Sequence, residues 1–396
     1  MNIAMLGSGF IGRFYADSLQ GYRSKDKIVS VFSRTIGSAQ KFASNYKVAF
    51  CTDQLEAAIH RPDVDVVCIA LPNNMHLEAV MLACKHKKAV ISTKPLGRNA
   101  WEARQMLDAV EHAGVFNGYL EDLVYTPKFL KALESVKSGA LGRILWAKSR
   151  ETHPGPHSDW FWDLQQAGGG CILDLGCHCV EIARNYIGKD ILPVEVMCWA
   201  DTQVKPIEAE DHAIGLVKYE NGAIGQFEVS WTFRGGLDLR DEVMGSEGTI
   251  WINSFLRTGF EMFTSGKGGD YISEKAESNT GWLFPVGDEL NELGYNHMFT
   301  DMFNSMELGV PPKETFYDGY VVNCILDAAY KSSKSKIWEP VILDIWRGKS
   351  GVQADGHLTS YDKDHFLIKE EVTHYGAKKV ILKHKRTGKI IEVVLG

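Results

Sequence analysis

The 396-residue chain lacks a long apolar run. Its longest nearly unbroken apolar stretch covers residues 64–71, far short of the roughly 20 residues that cross a bilayer. The N-terminus enters an apolar segment without a basic region or a cleavage site, which argues against secretion. We therefore expect a cytoplasmic protein with no membrane partner.

Excess positive charge and paired metal ligands are also missing. The formal net charge of −7 and the pI of about 6.0 exclude a general nucleic-acid-binding surface. The eight cysteines are scattered mostly through apolar runs and are expected to be reduced core thiols. Cys171, Cys177, His178 and Cys179 have no second Cys or His pair at ligand spacing, so we expect no metal site.

The composition is that of a globular protein with a sizeable core, at 45% hydrophobic and 23% charged residues. The length favours two or three domains. We predict a dinucleotide-binding domain over residues 1–121, a substrate-binding domain over 122–345 and a basic extension with a hairpin over 346–396. The basic run after residue 376 is more typical of a solvated face than of a nucleic-acid site.

The first third of the chain alternates strand and helix patterns. Residues 64–70 form an apolar run that suits a strand buried on both faces, as in parallel sheets. This alternation predicts an α/β domain with a doubly wound parallel sheet. Strands are expected at 2–6, 28–32, 64–70, 89–92 and 115–119, with helices after residue 12 and at 38–46, 75–85 and 100–113.

The pattern after residue 121 indicates a second α/β domain. Its strands are longer and alternate more clearly, which is typical of a mostly antiparallel sheet with one covered face. Asn221-Gly222 signals a tight hairpin. Strands are expected at 143–150, 194–201, 212–219, 223–233, 238–245 and 249–253, with helices at 128–138, 173–186, 288–308 and 318–332. In the extension we expect a loop at 355–359 and a hairpin of 380–385 with 389–395.

Gly7, Gly9 and Gly12 form a G-x-G-x-x-G motif between the first strand and the first helix. In this context Gly7 permits a tight turn, Gly9 lets a pyrophosphate approach the backbone, and Gly12 allows close helix packing. The helix N-terminus supplies N–H groups to the anion. The motif predicts a bound dinucleotide, with a glycine turn that holds no ligand as the alternative.

The second strand ends at Ser33-Arg34, where an acid would bind the adenosine 2′-hydroxyl of NAD. A hydroxyl and a guanidinium suit a 2′-phosphate, which favours NADP weakly. Because Arg34 could also stack on adenine, NAD stays open.

Two further segments follow predicted strands, and a third comes much later in the chain: residues 70–76 (ALPNNMH), 93–97 (TKPLG) and 168–178 (GGGCILDLGCH). With the glycine motif, they resemble the glucose–fructose oxidoreductase / inositol dehydrogenase (Gfo/Idh/MocA) family over roughly residues 1–345. The resemblance implies an N-terminal Rossmann domain that binds NAD(P) and a second domain whose large open sheet commonly mediates homo-oligomerisation. It also implies catalytic roles for Lys94, Asp174 and His178. The cofactor-binding positions implied are Gly7, Gly9, Phe10, Ile11, Gly12, Ser33, Arg34, Leu71, Pro72, Asn73, His76 and Lys94.

The chain departs from the family pattern at two positions. Thr93 stands where the family usually has Glu before Lys-Pro, and Phe161 stands where many members have Arg in Trp-Arg-x-Asp. The first departure removes an acid beside the lysine, and the second removes a polar contact near the substrate.

The catalytic residues also make chemical sense by themselves. Asp174 and His178 are four residues apart on the predicted helix, hence on one face, where the carboxylate can orient the imidazole. His178 can accept the proton of a secondary hydroxyl, and the Lys94 ammonium can stabilise the developing alkoxide. The alternative is a surface ion pair and a solvated lysine.

Residues 151–163 form a loop rich in histidine, proline and tryptophan just before the catalytic segment. Aromatic faces and imidazoles suit a pyranose, so we predict that His153, His157 and Trp160 or Trp162 line the substrate site together with Asp174 and His178. The alternative is an interface or core cluster. His212, at the start of a predicted strand, is expected to be structural.

Together these features predict an NAD(P)-dependent dehydrogenase that oxidises a secondary ring hydroxyl of a sugar, glycoside or cyclitol, with carbon 3 of a glycoside slightly favoured. One alternative is a glycoside hydrolase that works by transient oxidation and elimination. Another is a non-catalytic nucleotide-sensing protein.

Overall fold

The computed structural model describes residues 1–255, 261–264, 280–352 and 360–395. The chain forms two compact units, one of residues 1–219 and 223–350 and a smaller one of residues 220–222 and 351–396. In the described ranges, every helix is too short or too polar to cross a membrane. The larger unit contains both main sheets and the candidate site.

The first sheet has six parallel strands in the order β3-β2-β1-β4-β5-β6, which confirms the predicted doubly wound sheet. The strand order reverses between β1 and β4, and ligands of such sheets bind outside the carboxyl ends of the strands at this point. The elements are β1 (Asn2–Leu6), α1 (Phe10–Tyr22), β2 (Lys27–Phe32), α2 (Ile36–Tyr46), β3 (Phe50–Thr52), α3 (Leu55–Ile59), β4 (Val66–Ile69), α4 (His76–Lys85), β5 (Ala89–Thr93), α5 (Ala100–Ala113) and β6 (Asn117–Leu120).

Local sequence explains why these elements form where they do. Every residue of β4 is buried, as expected for a central parallel strand. The helix α5 begins where the Asn99 side chain accepts a hydrogen bond from the Glu102 N–H, and it ends at Gly114 with a left-handed φ of 64°. Both signals are local, and the predicted bounds of α5 agree with the structure.

The second sheet has seven strands in the order β12-β11-β7-β10-β9-β8-β15 and confirms the predicted mostly antiparallel sheet. Only the pairing of β7 with β10 is parallel. The elements are α6 (Pro127–Lys137), β7 (Ile144–Thr152), α7 (Leu164–Ala167), α8 (Cys171–Asp174), α9 (Gly176–Ile187), β8 (Pro193–Asp201), β9 (His212–Tyr219), β10 (Ile224–Ser230), β11 (Asp238–Gly245), β12 (Thr249–Asn253), β13 (Met262–Thr264), β14 (Gly281–Leu283), α10 (Glu289–Glu292), α11 (Tyr295–Leu308), α12 (Phe316–Ser335) and β15 (Glu339–Pro340).

Helices cover one face of this sheet, where α9 packs on β7 and β10 and α12 packs on β8. The opposite face exposes large apolar side chains, Trp199, Ile214, Met244 and Trp251. This is the face for which the sequence predicts homo-oligomer formation, and that partner remains a prediction. The domain boundaries at residues 121 and 345 also remain a proposal, drawn where the first sheet ends and after the last strand of the second.

Two predicted helices are each interrupted. The predicted helix 173–186 is wrong as a single element, because the short helix α8 ends at Asp174 and α9 begins at Gly176. The predicted helix 288–308 is divided into α10 and α11 at Gly294, which has a φ of 85°. The first interruption matters for the chemistry below, because Asp174 and His178 lie on different helices.

The smaller unit contains a three-stranded antiparallel sheet in the order β16-β17-β18, formed by β16 (His365–Val372), β17 (Lys378–His384) and β18 (Ile390–Leu395). The hairpin predicted for 380–385 and 389–395 is confirmed as β17 and β18, and the sequence analysis missed β16. Val380 and Leu382 are the buried residues of the central strand. The loop predicted at 355–359 lies outside the described residues.

Candidate active site

A cavity of about 670 Å³ lies at the carboxyl ends of the parallel strands in the larger unit. Its walls include the glycine-rich turn after β1, the segments that follow β2, β4, β5 and β6, the loop after β7, and residues of α8 and α9. The cavity therefore brings the predicted cofactor motif and the predicted catalytic residues into one space.

The glycine-rich turn has the shape that a pyrophosphate requires. Gly7 has a φ of 117°, and a Cβ on it would lie 2.1 Å from the carbonyl oxygen of Ala70. Gly9 lines the cavity, and a Cβ there would meet nothing within 4 Å, so its backbone is open to a ligand at the N-terminus of α1. Phe10 and Ile11 also line the cavity. These residues fit a dinucleotide.

Gly12 does not line the cavity but supports the turn that does. A Cβ on it would lie 2.3 Å from the carbonyl oxygen of Gly7. This contact agrees with the close helix packing expected of Gly12, and it leaves Gly12 outside the cavity that the other glycines of the motif line.

We expect Gly12→Ala to destabilise the protein without any ligand, because backbone must shift to accommodate the methyl group. Overpacking of this kind costs about 1–3 kcal/mol in free energy of unfolding. Thermal unfolding of the cofactor-free protein measures the effect.

Gly9→Ala is the matched control. Its methyl group meets no protein atom, so the cofactor-free melting temperature should stay unchanged, while the stabilisation by added NADH should fall. An unchanged melting temperature for cofactor-free Gly12→Ala would contradict this explanation.

The segment after β4 divides into two roles. Leu71, Pro72 and Asn73 line the cavity, and the Asn73 amide donates to the Ala167 carbonyl oxygen at 2.8 Å. His76 does not line it and is wrong as a cofactor ligand. Its ring is completely buried, and its nitrogens lie 2.9–3.1 Å from backbone carbonyl oxygens. Those carbonyls belong to Leu71, Pro95 and Leu96, so His76 fastens this segment to the one that carries Lys94.

Lys94 follows β5 and points into the cavity. Its ammonium donates to the backbone oxygen of Asp174 at 2.7 Å and to Asp174 Oδ1 at 2.8 Å, while Trp231 Nε1 donates to Asp174 Oδ2 at 3.1 Å. Burial opposes the charge of Lys94, but the Asp174 carboxylate outweighs it and holds the pKa of Lys94 well above its usual value. Lys94 is therefore an ammonium at neutral pH.

His178 also lines the cavity, and its Nδ1 is hydrogen-bonded to Oε1 of Glu121. The sequence analysis assigned the orienting carboxylate to Asp174 on the assumption of one continuous helix. Because the helix is interrupted at Leu175, the Nδ1 position belongs to Glu121, and Asp174 binds Lys94. The expected contact on one continuous helix is therefore wrong, and an orienting role of Asp174 toward His178 remains a prediction.

The loop after β7 contributes most of the residues predicted for substrate. His153, His157 and Trp160 line the cavity, and the His157 ring lies 5.5 Å from that of Phe10, beside the glycine-rich turn. Trp162 is not part of the lining, because its ring packs edge-on against Trp231 at 5.6 Å. Its neighbour Phe161 lines the cavity instead.

The two departures from the family pattern are both at the cavity. Thr93 accepts a hydrogen bond from the Tyr15 hydroxyl at 2.9 Å, so a hydroxyl pair occupies the position next to Lys94. Phe161 stacks on Trp160 with ring centroids 3.7 Å apart, which gives the cavity an aromatic wall where an arginine would be polar.

The sequence analysis missed three carboxyl groups at the site, Glu121, Asp122 and Glu151, all of them buried. Burial raises the pKa of Asp122 to about 7. Glu121-Asp122 follow the carboxyl end of a predicted parallel strand, which is where such sheets bind ligands, and this signal could have identified them.

Four residues were considered as metal ligands in the sequence. Among the described residues, the donor atoms of two of them, Cys177 and His178, lie close to one another and to a carboxylate oxygen of Glu121. Cys171 and Cys179 are buried elsewhere. His212 does not line the cavity. Its Nδ1 atom is 3.0 Å from the side-chain amide oxygen of Gln203.

Comparisons with known proteins agree with this geometry. Residues 1–119 match a family model described as an oxidoreductase family with an NAD-binding Rossmann fold, and residues 129–251 match the GFO/IDH/MocA C-terminal domain. The levoglucosan dehydrogenase of Pseudarthrobacter phenanthrenivorans is 25% identical over 394 residues, covering 86% of this chain and 98% of that protein. The myo-inositol 2-dehydrogenase of Thermotoga maritima is 25% identical over 343 residues, covering 85% and 97%.

A solved structure extends the likeness to the fold. GenD2 from gentamicin A biosynthesis, in complex with NAD, has a TM-score of 0.81 and 29% identity, covering 87% of this chain and 97% of that one. The two family models, the site and these relatives support one conclusion. The chain is an oxidoreductase with an NAD-binding Rossmann domain and belongs to the Gfo/Idh/MocA family.

Proposed function

We propose that this chain oxidises a secondary ring hydroxyl of a sugar, glycoside or cyclitol to the ketone, with NAD(P) as hydride acceptor. The observation that carries the proposal is that Lys94 and His178 line the same cavity as the glycine-rich turn. The substrate class is supported by two relatives, a levoglucosan dehydrogenase and a myo-inositol 2-dehydrogenase. Among these substrates we favour carbon 3 of a glycoside.

A nicotinamide cofactor held at the glycine-rich turn would supply the acceptor for the hydride of the carbinol carbon. His178 accepts the proton of the hydroxyl group as general base. The ammonium of Lys94 stabilises the negative charge that develops on the oxygen. Asp174 holds Lys94 in place through the two hydrogen bonds described above.

The sugar is expected to bind against the loop after β7. The stacked rings of Trp160 and Phe161 offer apolar faces for ring C–H groups, and His153 offers a polar partner for a hydroxyl. His157 lies beside Phe10, so we assign it to the border between sugar and cofactor.

We propose NADP as the preferred cofactor. The part of the cavity wall that follows β2 in the chain includes Ser33, Arg34 and Lys41. Carboxylates of the wall, such as Asp122 and Asp174, come from later segments, after β6 and after β7. Hydroxyl and cationic groups are suited to a 2′-phosphate.

We expect Arg34→Ala to weaken NADP binding by about 10- to 100-fold, the loss of one charged hydrogen bond of about 1.5–3 kcal/mol. NAD binding should change much less, because its 2′-hydroxyl carries no charge. Fluorescence titration with NADPH and NADH measures both. Arg104→Ala, on α5 and paired with Asp108, serves as the control. Equal losses for the two cofactors would contradict the assignment.

A panel of sugars, glycosides and cyclitols with NAD and NADP tests the function through absorbance at 340 nm. A dehydrogenase accumulates reduced nicotinamide with a substrate of the panel. Release of aglycone without such accumulation would favour the hydrolase alternative. Cofactor binding with neither reaction would favour a nucleotide-sensing protein.

A further inference from the structure

We propose that Glu121 is the positioning residue of the active site: its carboxylate holds the proton of His178 on Nδ1, so that Nε2 is the nitrogen that exchanges a proton with substrate. The consequence for catalysis rests on the proposed function, which makes His178 the base. The protonation pattern of the ring itself does not depend on any substrate.

Contact and burial identify this pair. Glu121 is 0% exposed, His178 is 4% exposed, and Oε1 of Glu121 is hydrogen-bonded to Nδ1 of the imidazole. Glu121 directly follows β6, and His178 lies in the first turn of α9, so the pair joins the two sheet-bearing parts of the larger unit. Unlike His178, Glu121 is not part of the cavity lining, and it therefore acts through the histidine.

The chemistry of imidazole gives this contact its consequence. A neutral imidazole carries one N–H, and a carboxylate only accepts hydrogen bonds. With the proton held on Nδ1, the lone pair that takes the substrate proton is the one on Nε2. The substrate O–H bond breaks, an Nε2–H bond forms, and the oxygen electron pair enters the new carbonyl as the hydride leaves the carbon. The imidazolium that results lies beside Glu121, which stabilises it.

The surroundings of Glu121 set the pH at which it is a carboxylate. Burial raises the pKa of Glu121 to about 8, Lys94 opposes the rise and Glu181 adds to it, so Glu121 accepts from Nδ1 above that pH. Two groups that interact this closely titrate as a pair. The titratable groups that act on the pair come from the segment after β5, from β6, from the segment after β6 and from α9, and they are Lys94, Tyr119, Asp122, Cys177 and Glu181.

The tautomer of His178 can be measured directly by ¹⁵N NMR of the whole protein with labelled histidine, using His178→Gln to assign the signals. Above about pH 8, where Glu121 is a carboxylate, we expect the neutral wild-type ring to carry its proton on Nδ1. In Glu121→Gln the side-chain volume stays, but the amide can donate to Nδ1, so the Nε2–H tautomer should appear. A wild-type ring with its proton on Nε2, or an unchanged tautomer in Glu121→Gln, would overturn the proposal.

Kinetics give the second readout. Glu121→Gln should lower kcat by about 10²–10⁴-fold, as expected when a base is held in the wrong tautomer. The substrate KM and the Kd for NADH should stay near wild type, because Glu121 is not part of the cavity lining. Loss of the nearby negative charge disfavours the imidazolium, so the acidic limb of the oxidation profile should move to lower pH.

Asp241→Asn is the matched control. Asp241 is also a buried carboxyl group, bound to Ser149 Oγ at 2.7 Å, and burial raises its pKa to about 7, yet it does not line the cavity. This variant should leave the His178 tautomer, kcat and the pH profile unchanged. Glu121→Gln kinetics identical to those of Asp241→Asn would overturn the positioning role. If no panel member is oxidised, the proposed function fails, and the NMR result still decides the tautomer.

Discussion

Replacing His178 by Gln is expected to lower kcat by about 10²–10⁴-fold, the usual contribution of general-base catalysis. Glutamine is polar and of similar reach, so it can occupy the space between Glu121 and the cavity without accepting a proton. We assign cofactor binding to the glycine-rich turn and not to His178, so binding of NADH should persist. Initial rates at 340 nm and fluorescence titration measure the two effects.

His212→Gln is the control for this prediction, because the ring of His212 is away from the cavity lining and its Nδ1 is near Gln203. Its rate should match wild type. A His178→Gln enzyme within a few-fold of the wild-type rate would remove His178 from the chemistry.

Replacing Lys94 by Met is expected to lower kcat by about 10²–10³-fold, the cost of removing one preorganised donor to a developing oxyanion. The substitution also leaves the buried carboxylate of Asp174 without its cation, which destabilises the fold. Activity and thermal stability should therefore fall together in this variant.

The double variant Lys94→Met, Asp174→Asn separates the two effects. Removing the second charge should restore much of the melting temperature, because no unpaired buried charge remains. It should not restore turnover, because the ammonium is still absent. Lys85→Met, an exposed lysine paired with Glu56, controls for the loss of one positive charge. Recovery of both stability and activity in the double variant would show that Lys94 acts only as a structural partner.

The parts of the fold that local signals determine could be predicted from the sequence. The alternation of strands and helices, the run of buried residues in β4 and the Asn99 cap of α5 are all encoded within a few residues of themselves. The strand β16 was missed although a turn that contains Gly376 joins it directly to its partner β17, because the charged residues 369–371 interrupt the apolar pattern of the strand.

The candidate site was predicted in its residues more accurately than in its contacts. Lys94, Asp174 and His178 do line one cavity. Their partners depend on where α8 ends, and no signal in the sequence placed that end at Asp174. Spacing of four residues therefore suggested a contact on one helix, whereas packing of α9 against the segment that follows β6 brings Glu121 to the imidazole.

The same limit explains why His76 and Trp162 lie outside the cavity lining. Each lies in a segment that does reach the cavity, but the direction of one side chain within a loop or short helix depends on its neighbours. The ring of His76 is hydrogen-bonded to backbone carbonyls, and the ring of Trp162 packs against Trp231.

Transfer of deuterium is the most direct measurement of the chemistry at this site. The best substrate of the panel, deuterated on its ring carbons, would be incubated with NAD or NADP and the wild-type protein, and the cofactor analysed by mass spectrometry. If a secondary hydroxyl is oxidised between Lys94 and His178, each reduced nicotinamide should carry one deuterium. The Lys94→Met variant should form this deuterated cofactor far more slowly than the wild type. Reduced cofactor without deuterium, or bound cofactor that no polyol reduces, would contradict it.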